Sequence, residues 1–212
     1  MDTTLTLPLI HRFVPGTDPA RRPLLLLHGT GGNEDDLLPL GRTVAPGAAL
    51  LSPHGAVTEN GMPRFFRRLA EGVFDEADLR HRTAELAEFV AGARREYGLG
   101  APVAVGFSNG ANIAAALLLL YPGVLAGAAL LRATAPFRQA PGTELPGVLP
   151  GTPVLLLSGL ADPTVPAENS NRLMAQLEAA GAVVTHRALP AGHGLTNADV
   201  QAVSAWLEGQ AR

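Results

Sequence analysis

The chain has neither cysteine nor lysine among its 212 residues. Without cysteine there is no disulfide, no thiolate nucleophile and no cysteine-ligated metal centre. Without lysine, Schiff-base catalysis, a Walker-type phosphate loop and a Ser-Lys dyad are excluded together; all 16 basic residues are arginine. No long basic run occurs, and a net charge of -3 with a pI near 6.1 argues against a nucleic-acid partner. The longest apolar run, Ile113 to Leu120, is far too short to span a bilayer. Met1-Asp2-Thr3-Thr4 carries neither the basic region nor the apolar stretch of a signal peptide, so a cytoplasmic location is expected.

An apolar content of 47% is enough for a sizeable core, and a single domain over residues 1–212 is the expectation at this length. The 24 glycines and 18 prolines stay below the level of low-complexity sequence, so they are assigned to turns and close approaches. Strand-length apolar runs alternate with longer segments of helical period, the pattern of a mostly parallel sheet covered by helices on both faces. The core strands are read as Leu24 to Leu27, Ala48 to Ser52, Val103 to Phe107, Ala126 to Leu131, Val154 to Ser158 and Val183 to Leu189. Leu5 to Val14 adds an edge strand, bringing the sheet to about seven; Pro8 weakens that segment.

Helices are predicted from Asp75 to Tyr97, from Asn109 to Tyr121 and from Pro166 to Ala180. A last one is capped by Thr196 or Asn197 and buries Val200, Val203, Trp206 and Leu207. Two stretches rich in proline and glycine, Pro53 to Pro63 and Ala133 to Pro153, read as surface loops. Glu34, Asp35 and Asp36 read as acids opening a helix, where the dipole accounts for them without a metal.

The chemistry begins at Gly106-Phe107-Ser108-Asn109-Gly110, where a buried strand breaks into a buried helix. A serine on such a turn is held in a strained conformation with its hydroxyl clear of the sheet, and its neighbours must be glycine to avoid collision. A serine needs a base, and on this fold the acid and the histidine follow it in chain order. Downstream lie Asp162, Asp199, His186 and His193, with Glu144 and Glu168 as formal competitors. Asp162 follows a strand at its carboxyl end, whereas Asp199 and Glu168 fall in helical first turns. His193, flanked by Gly192 and Gly194, lies in a loop beyond a strand end; His186 sits within a strand. Asp162 and His193 are therefore preferred. An oxyanion needs backbone donors, one from Asn109 and one from the loop His28-Gly29-Thr30-Gly31-Gly32, with Thr30 first and Gly31 next.

These motifs, together with Leu24-Leu25-Leu26-Leu27-His28-Gly29-Thr30-Gly31-Gly32-Asn33-Glu34-Asp35-Asp36-Leu37, Gly159-Leu160-Ala161-Asp162-Pro163-Thr164-Val165-Pro166 and Gly192-His193-Gly194-Leu195, resemble the α/β-hydrolase fold. Within it they are most similar to the phospholipase/carboxylesterase family, which includes the acyl-protein thioesterases. The resemblance covers nearly the whole chain. It implies a compact serine esterase without a large lid domain, with Ser108 as nucleophile, Asp162 as orienting acid, His193 as base, and Thr30 and Asn109 as oxyanion donors. It also implies a small-molecule ester substrate, no cofactor, and a homodimer as one form of assembly. Asn109 where the thioesterase branch carries glutamine, and Gly32-Asn33 where it carries aspartate, make the chain more similar to a bacterial branch of general carboxylesterases. Some of that branch are associated with quinone or aromatic-compound resistance.

Phe65, Val165 and Leu195 are candidates to touch the substrate, Phe65 having a core-anchoring role as its alternative. The cluster Arg64, Arg67 and Arg68 reads as a solvated loop, with recognition of an anionic substrate group as the rival. Hydrolysis, acyl transfer, thioester cleavage and a noncatalytic scaffold would all use the same chain.

Overall fold

The computed structural model describes residues 7–70, 72–139 and 148–210. In chain order the elements are β1 (His11–Val14), β2 (Leu24–Leu27), α1 (Leu38–Val44), β3 (Leu50–Pro53), β4 (Val57–Glu59), β5 (Met62–Arg64), β6 (Arg68–Ala70), β7 (Val73–Phe74) and α2 (Glu76–Glu96). There follow β8 (Val103–Phe107), α3 (Asn109–Leu120), β9 (Gly127–Leu131), β10 (Pro153–Gly159), α4 (Ala167–Ala179), β11 (Val183–Leu189) and α5 (Asn197–Gln210). Seven strands form the main sheet in the order β1-β3-β2-β8-β9-β10-β11. All neighbours are parallel except β1, which pairs antiparallel with β3 at the edge.

Strand periodicity divides the core in two. In β2, Leu25 and Leu27 join the cluster covered by α2, α3 and α4, while Leu24 and Leu26 point into the cluster covered by α1 and α5. The same alternation sends Val154 and Leu156 of β10 to one side and Leu155 and Leu157 to the other. Burial on both faces is why these strands read as unbroken apolar runs. Helix α3 is buried nearly all round because α2 packs on its far side. Asp75 caps α2 by accepting from the Asp78 N–H. Among the described residues no helix is long and apolar enough to cross a membrane, and none of the segments forms a large lid.

Several expectations are corrected. The edge strand is confined to His11–Val14; Leu5 lies outside the described residues. Strand β11 is also an edge, largely exposed, because nothing pairs beyond it among the described residues. Pro53 to Pro63 is no simple loop: β4 and β5 form a hairpin across Asn60 and Gly61, both at positive φ (52° and 77°). Asn-Gly is the dipeptide that a tight hairpin turn selects, since both central residues must be left-handed. A second short hairpin joins β6 and β7. In the predicted loop from Ala133 to Pro153, Ala133, Ala135, Phe137 and Leu149 are buried against the α2–α3 face, so its described part is core; residues 140–147, including Glu144, lie outside the described residues. The acids Glu34, Asp35 and Asp36 precede α1, whose first turn carries no acid. Each is held by a different partner, since Glu34 accepts from His54, Asp35 from Arg12, and Asp36 from the Asn33 amide.

Candidate active site

The strand order reverses at β2, where the chain leaves toward β3 on one side and returns through β8 on the other. Open α/β sheets bind ligands beyond the carboxyl ends of the strands at such a switch point. Thr30 follows β2 and Ser108 follows β8, so the two segments predicted to supply oxyanion donors flank it.

Ser108 occupies φ 52° and ψ −114°, outside the regions an L-residue favours. Such a residue costs of order 1–3 kcal/mol and persists only where its surroundings enforce it. They do so here by close packing. A Cβ on Gly106 would stand 2.7 Å from the Gly110 carbonyl oxygen, and one on Gly110 would stand 2.1 Å from the Leu27 carbonyl oxygen. The sharp turn therefore brings α3 against β2 and β8 at a spacing that only glycine permits.

His193 Nε2 stands 2.9 Å from Ser108 Oγ, and its Nδ1 stands 2.9 Å from Asp162 Oδ2. A carboxylate only accepts, so Nδ1–H donates to Asp162 and Nε2 is free to accept from the serine hydroxyl. The Asp162 side chain is fully buried, and its other oxygen accepts from the amides of Thr164 and Val165. Those bonds fix the carboxylate in the turn after β10.

In the loop after β2 the amides divide. Gly31 N–H donates to the Pro63 carbonyl and Gly32 N–H to that of Gly29, whereas the Thr30 N–H meets no acceptor among the described residues. The first amide of α3, at Asn109, has no intrahelical partner by construction. Of the two loop candidates, Gly31 is thus occupied and Thr30 is open. The loop itself is pinned by His28, which is buried; its Nδ1–H donates to the Gly29 carbonyl and its Nε2 accepts from the Gly55 amide. Burial holds the His28 imidazole below its ordinary pKa, with the hydrogen bond to Gly29 opposing.

The family model for phospholipases and carboxylesterases matches residues 10–210. The chain belongs to the phospholipase/carboxylesterase family. The putative hydrolase MhqD of Bacillus subtilis (strain 168) is 49% identical to it over 200 residues, which is 93% of this chain and 97% of MhqD. The crystal structure of the Bacillus cereus carboxylesterase has a TM-score of 0.89 at 45% identity, covering 97% of this chain and 95% of that one. YahD, solved with malic acid, has a TM-score of 0.85 at 28% identity, covering 95% and 98%. Family and relatives together identify the chain as a hydrolase of the carboxylesterase type.

The esterase chain surrounds Ser108 and His193 with a cavity of about 190 Å³. That is below the usual ~300–1,000 Å³ of a drug-sized ligand pocket. Val165 lines it, but the other two substrate candidates do not. Phe65 is buried with its ring 4.7 Å from that of His28, and it reaches the site only through its amide, which donates to Asn109 Oδ1. Leu195 is half-buried against the α1–α5 face of the core. Alternation and loop path decide where such apolar side chains point, and proximity in sequence to His193 does not.

The cavity wall contains residues that sequence reasoning did not place there, Phe74, Asn112, Arg132 and Thr134 among them, and also Arg68, for which substrate contact was only the rival reading. Arg64 is also on it and is only 4% exposed, which overturns the solvated-loop reading; Arg67 alone of the three behaves as expected, with its side chain 62% exposed. Asp199 lies in the first turn of α5 as expected, but it does more than serve the helix start: it is fully buried and pairs with Arg132 through two hydrogen bonds of 2.8 and 2.9 Å. Arg132 in turn donates to the carbonyls of Gly192 and Gly194, on either side of His193. His186, as expected of a strand residue, stays on the sheet, where its Nε2 meets Ser158 Oγ at 2.8 Å. No cluster of three or more potential metal ligands occurs among the described residues.

Proposed function

We propose that the protein hydrolyses small carboxylic esters through an acyl-enzyme on Ser108. The observation that carries this reading is the unbroken hydrogen-bonded line from Ser108 through His193 to Asp162, ending at a strained serine beside two open amides. In the first half-reaction, His193 Nε2 takes the hydroxyl proton as Ser108 Oγ attacks the ester carbonyl. Asp162 keeps the ring in the Nδ1–H tautomer and stabilises the imidazolium. The N–H groups of Thr30 and Asn109 receive the oxyanion, and the dipole of α3 adds positive potential at the same point. His193 then passes its proton to the departing alcohol. Water repeats the sequence on the acyl-enzyme and releases the acid.

The small cavity, lined by several polar and charged side chains, favours short acyl groups over the long chains of lysophospholipids or palmitoylated proteins. The relative YahD, solved with malic acid, is consistent with a compact polar ligand. Fluorophosphonate labelling followed by mass spectrometry is expected to find an adduct on Ser108. Ser108→Ala is expected to abolish turnover of p-nitrophenyl acetate with the circular dichroism spectrum retained. An adduct elsewhere, or undiminished turnover by purified Ser108→Ala protein, would sink the proposal.

A further inference from the structure

Resting on that esterase reading, we propose that Arg64 and Arg68 form a subsite for an anionic group, a carboxylate, carried by the ester substrate within a few bonds of the scissile carbonyl.

The two guanidinium groups share one wall of the cavity that holds Ser108 and His193. Arg64 stands on β5 and Arg68 on β6, so the chain crosses between two hairpins to bring them together. Among the described residues one carboxylate serves both: Glu59 Oε1 accepts from Arg68 Nε at 2.6 Å, and Glu59 Oε2 lies 3.4 Å from Arg64 Nε. Among the described residues these two cations and one anion leave a positive charge unbalanced at the cavity wall, where Arg64 is buried and Arg68 only partly exposed, so that an anion bound there would gain from both.

The hydrogen-bond inventory agrees. Arg64 donates through Nε to the Phe66 carbonyl and through Nη1 to Thr30 Oγ1, and its Nη2 has no partner among the described residues. Neither terminal nitrogen of Arg68 has one. Those donors point to a planar acceptor, the geometry that guanidinium groups match in carboxylates. Burial pulls the Arg64 pKa down, Glu59 pulls it up, and the charge of Arg68 lowers it again, as expected of two cations held close. The third arginine on the wall differs. Arg132 is already neutralised by both oxygens of Asp199 and has no charge to offer.

Arg64 also pins Thr30 and Phe66, so its removal would disturb the loop as well as the charge. Arg68 is the informative position. The experiment compares kcat/KM for two matched pairs: mono-p-nitrophenyl succinate against the p-nitrophenyl ester of succinamic acid, and acetoxyacetate against acetoxyacetamide. The first places the carboxylate on the acyl side and the second on the alcohol side. Wild-type protein is expected to prefer the charged member of at least one pair, and Arg68→Gln to reduce that preference by roughly 10-fold or more, the scale of a lost charge-assisted hydrogen bond. Arg67→Gln, whose side chain lies outside the cavity, is expected to leave the preference in place. Absence of preference in both pairs, or a preference that Arg68→Gln does not reduce, overturns the proposal. If Arg68→Gln fails to fold, competitive inhibition of the wild type decides: succinate is expected to inhibit more tightly than succinamide, and the reverse order overturns it. The esterase reading is tested separately, because it fails if turnover of the neutral esters survives Ser108→Ala.

Discussion

Arg132 and Asp199 meet as a bidentate ion pair with both side chains essentially out of solvent, although 67 residues separate them in the chain. Arg132 directly follows β9 at φ 56°, as the strained Ser108 directly follows the neighbouring β8, and its guanidinium holds the two carbonyls flanking His193. Asp199 also accepts from the Thr196 amide and hydroxyl, tying the start of α5 to the same point. The pair therefore links the strand next to the serine with the loop that carries the histidine.

Removing one partner should be far worse than removing both. Asp199→Ala leaves a buried guanidinium without its counterion and is expected to cost about 3–5 kcal/mol in urea denaturation. An Arg132→Met/Asp199→Leu double variant should recover much of that stability, because no unpaired charge remains. Its kcat should stay low, since the carbonyls of Gly192 and Gly194 lose their donor. A double variant with full activity would show that the pair has no part in positioning His193.

Gly110→Ala tests the packing of the turn. The added methyl carbon would sit 2.1 Å from a backbone oxygen of β2, which no side-chain rotation can relieve. Overpacking of this kind costs at least ~1–3 kcal/mol and here must move α3 away from the sheet. Both a lowered melting temperature and lost esterase activity are expected; wild-type values in both would contradict the close approach.

Asp162→Asn should preserve the turn after β10, because the amide oxygen can still accept from the Thr164 and Val165 amides. It should nevertheless stabilise the wrong tautomer of His193, lowering kcat by on the order of 10⁴. Stopped-flow or long-time p-nitrophenyl acetate assays resolve a loss of that size. A fall of only a few-fold would remove Asp162 from the proposed mechanism.

His28 makes the fold sensitive to mild acid. Its pKa is lower in the folded protein than the ordinary 6.5, so the unfolded chain takes up a proton first as pH falls below that value. Stability is present above 6.5 and is lost as pH drops toward the folded value, with a slope of at most about 1.4 kcal/mol per pH unit for one proton. Protonation also turns Nε2 from acceptor to donor and breaks its bond from the Gly55 amide. Urea midpoints at pH 7.5 and 5.5 should differ more in the wild type than in His28→Gln. The carboxyl of Glu59 is held below its usual 4.5, because the hydrogen bond from Arg68 and the charge of Arg64 outweigh burial, so its contribution fades only at lower pH.

What could be read from the sequence was whatever is local or bound to chain order. Four consecutive leucines at 24–27 mean a strand covered on both sides, because a strand presents successive residues to opposite faces. Gly-x-Ser-x-Gly between strand and helix means a tight turn, because no other residue fits beside β2. Chain order left few candidates for the acid and base. The Asn60-Gly61 turn was equally legible and would have found the hairpin that carries Arg64.

Tertiary structure alone decided which charges face each other. Nothing near Asp199 shows that an acid in a helical first turn is also the counterion of an arginine 67 residues away, and nothing near Arg64 separates a solvated loop from a cavity wall. A charged side chain states its partner only through the path of the whole chain, whereas an apolar period or a glycine pair states its geometry by itself. The sequence thus determined the sheet, the turn and the order of the hydrogen-bonded line, and packing across distant segments determined the cavity that surrounds it.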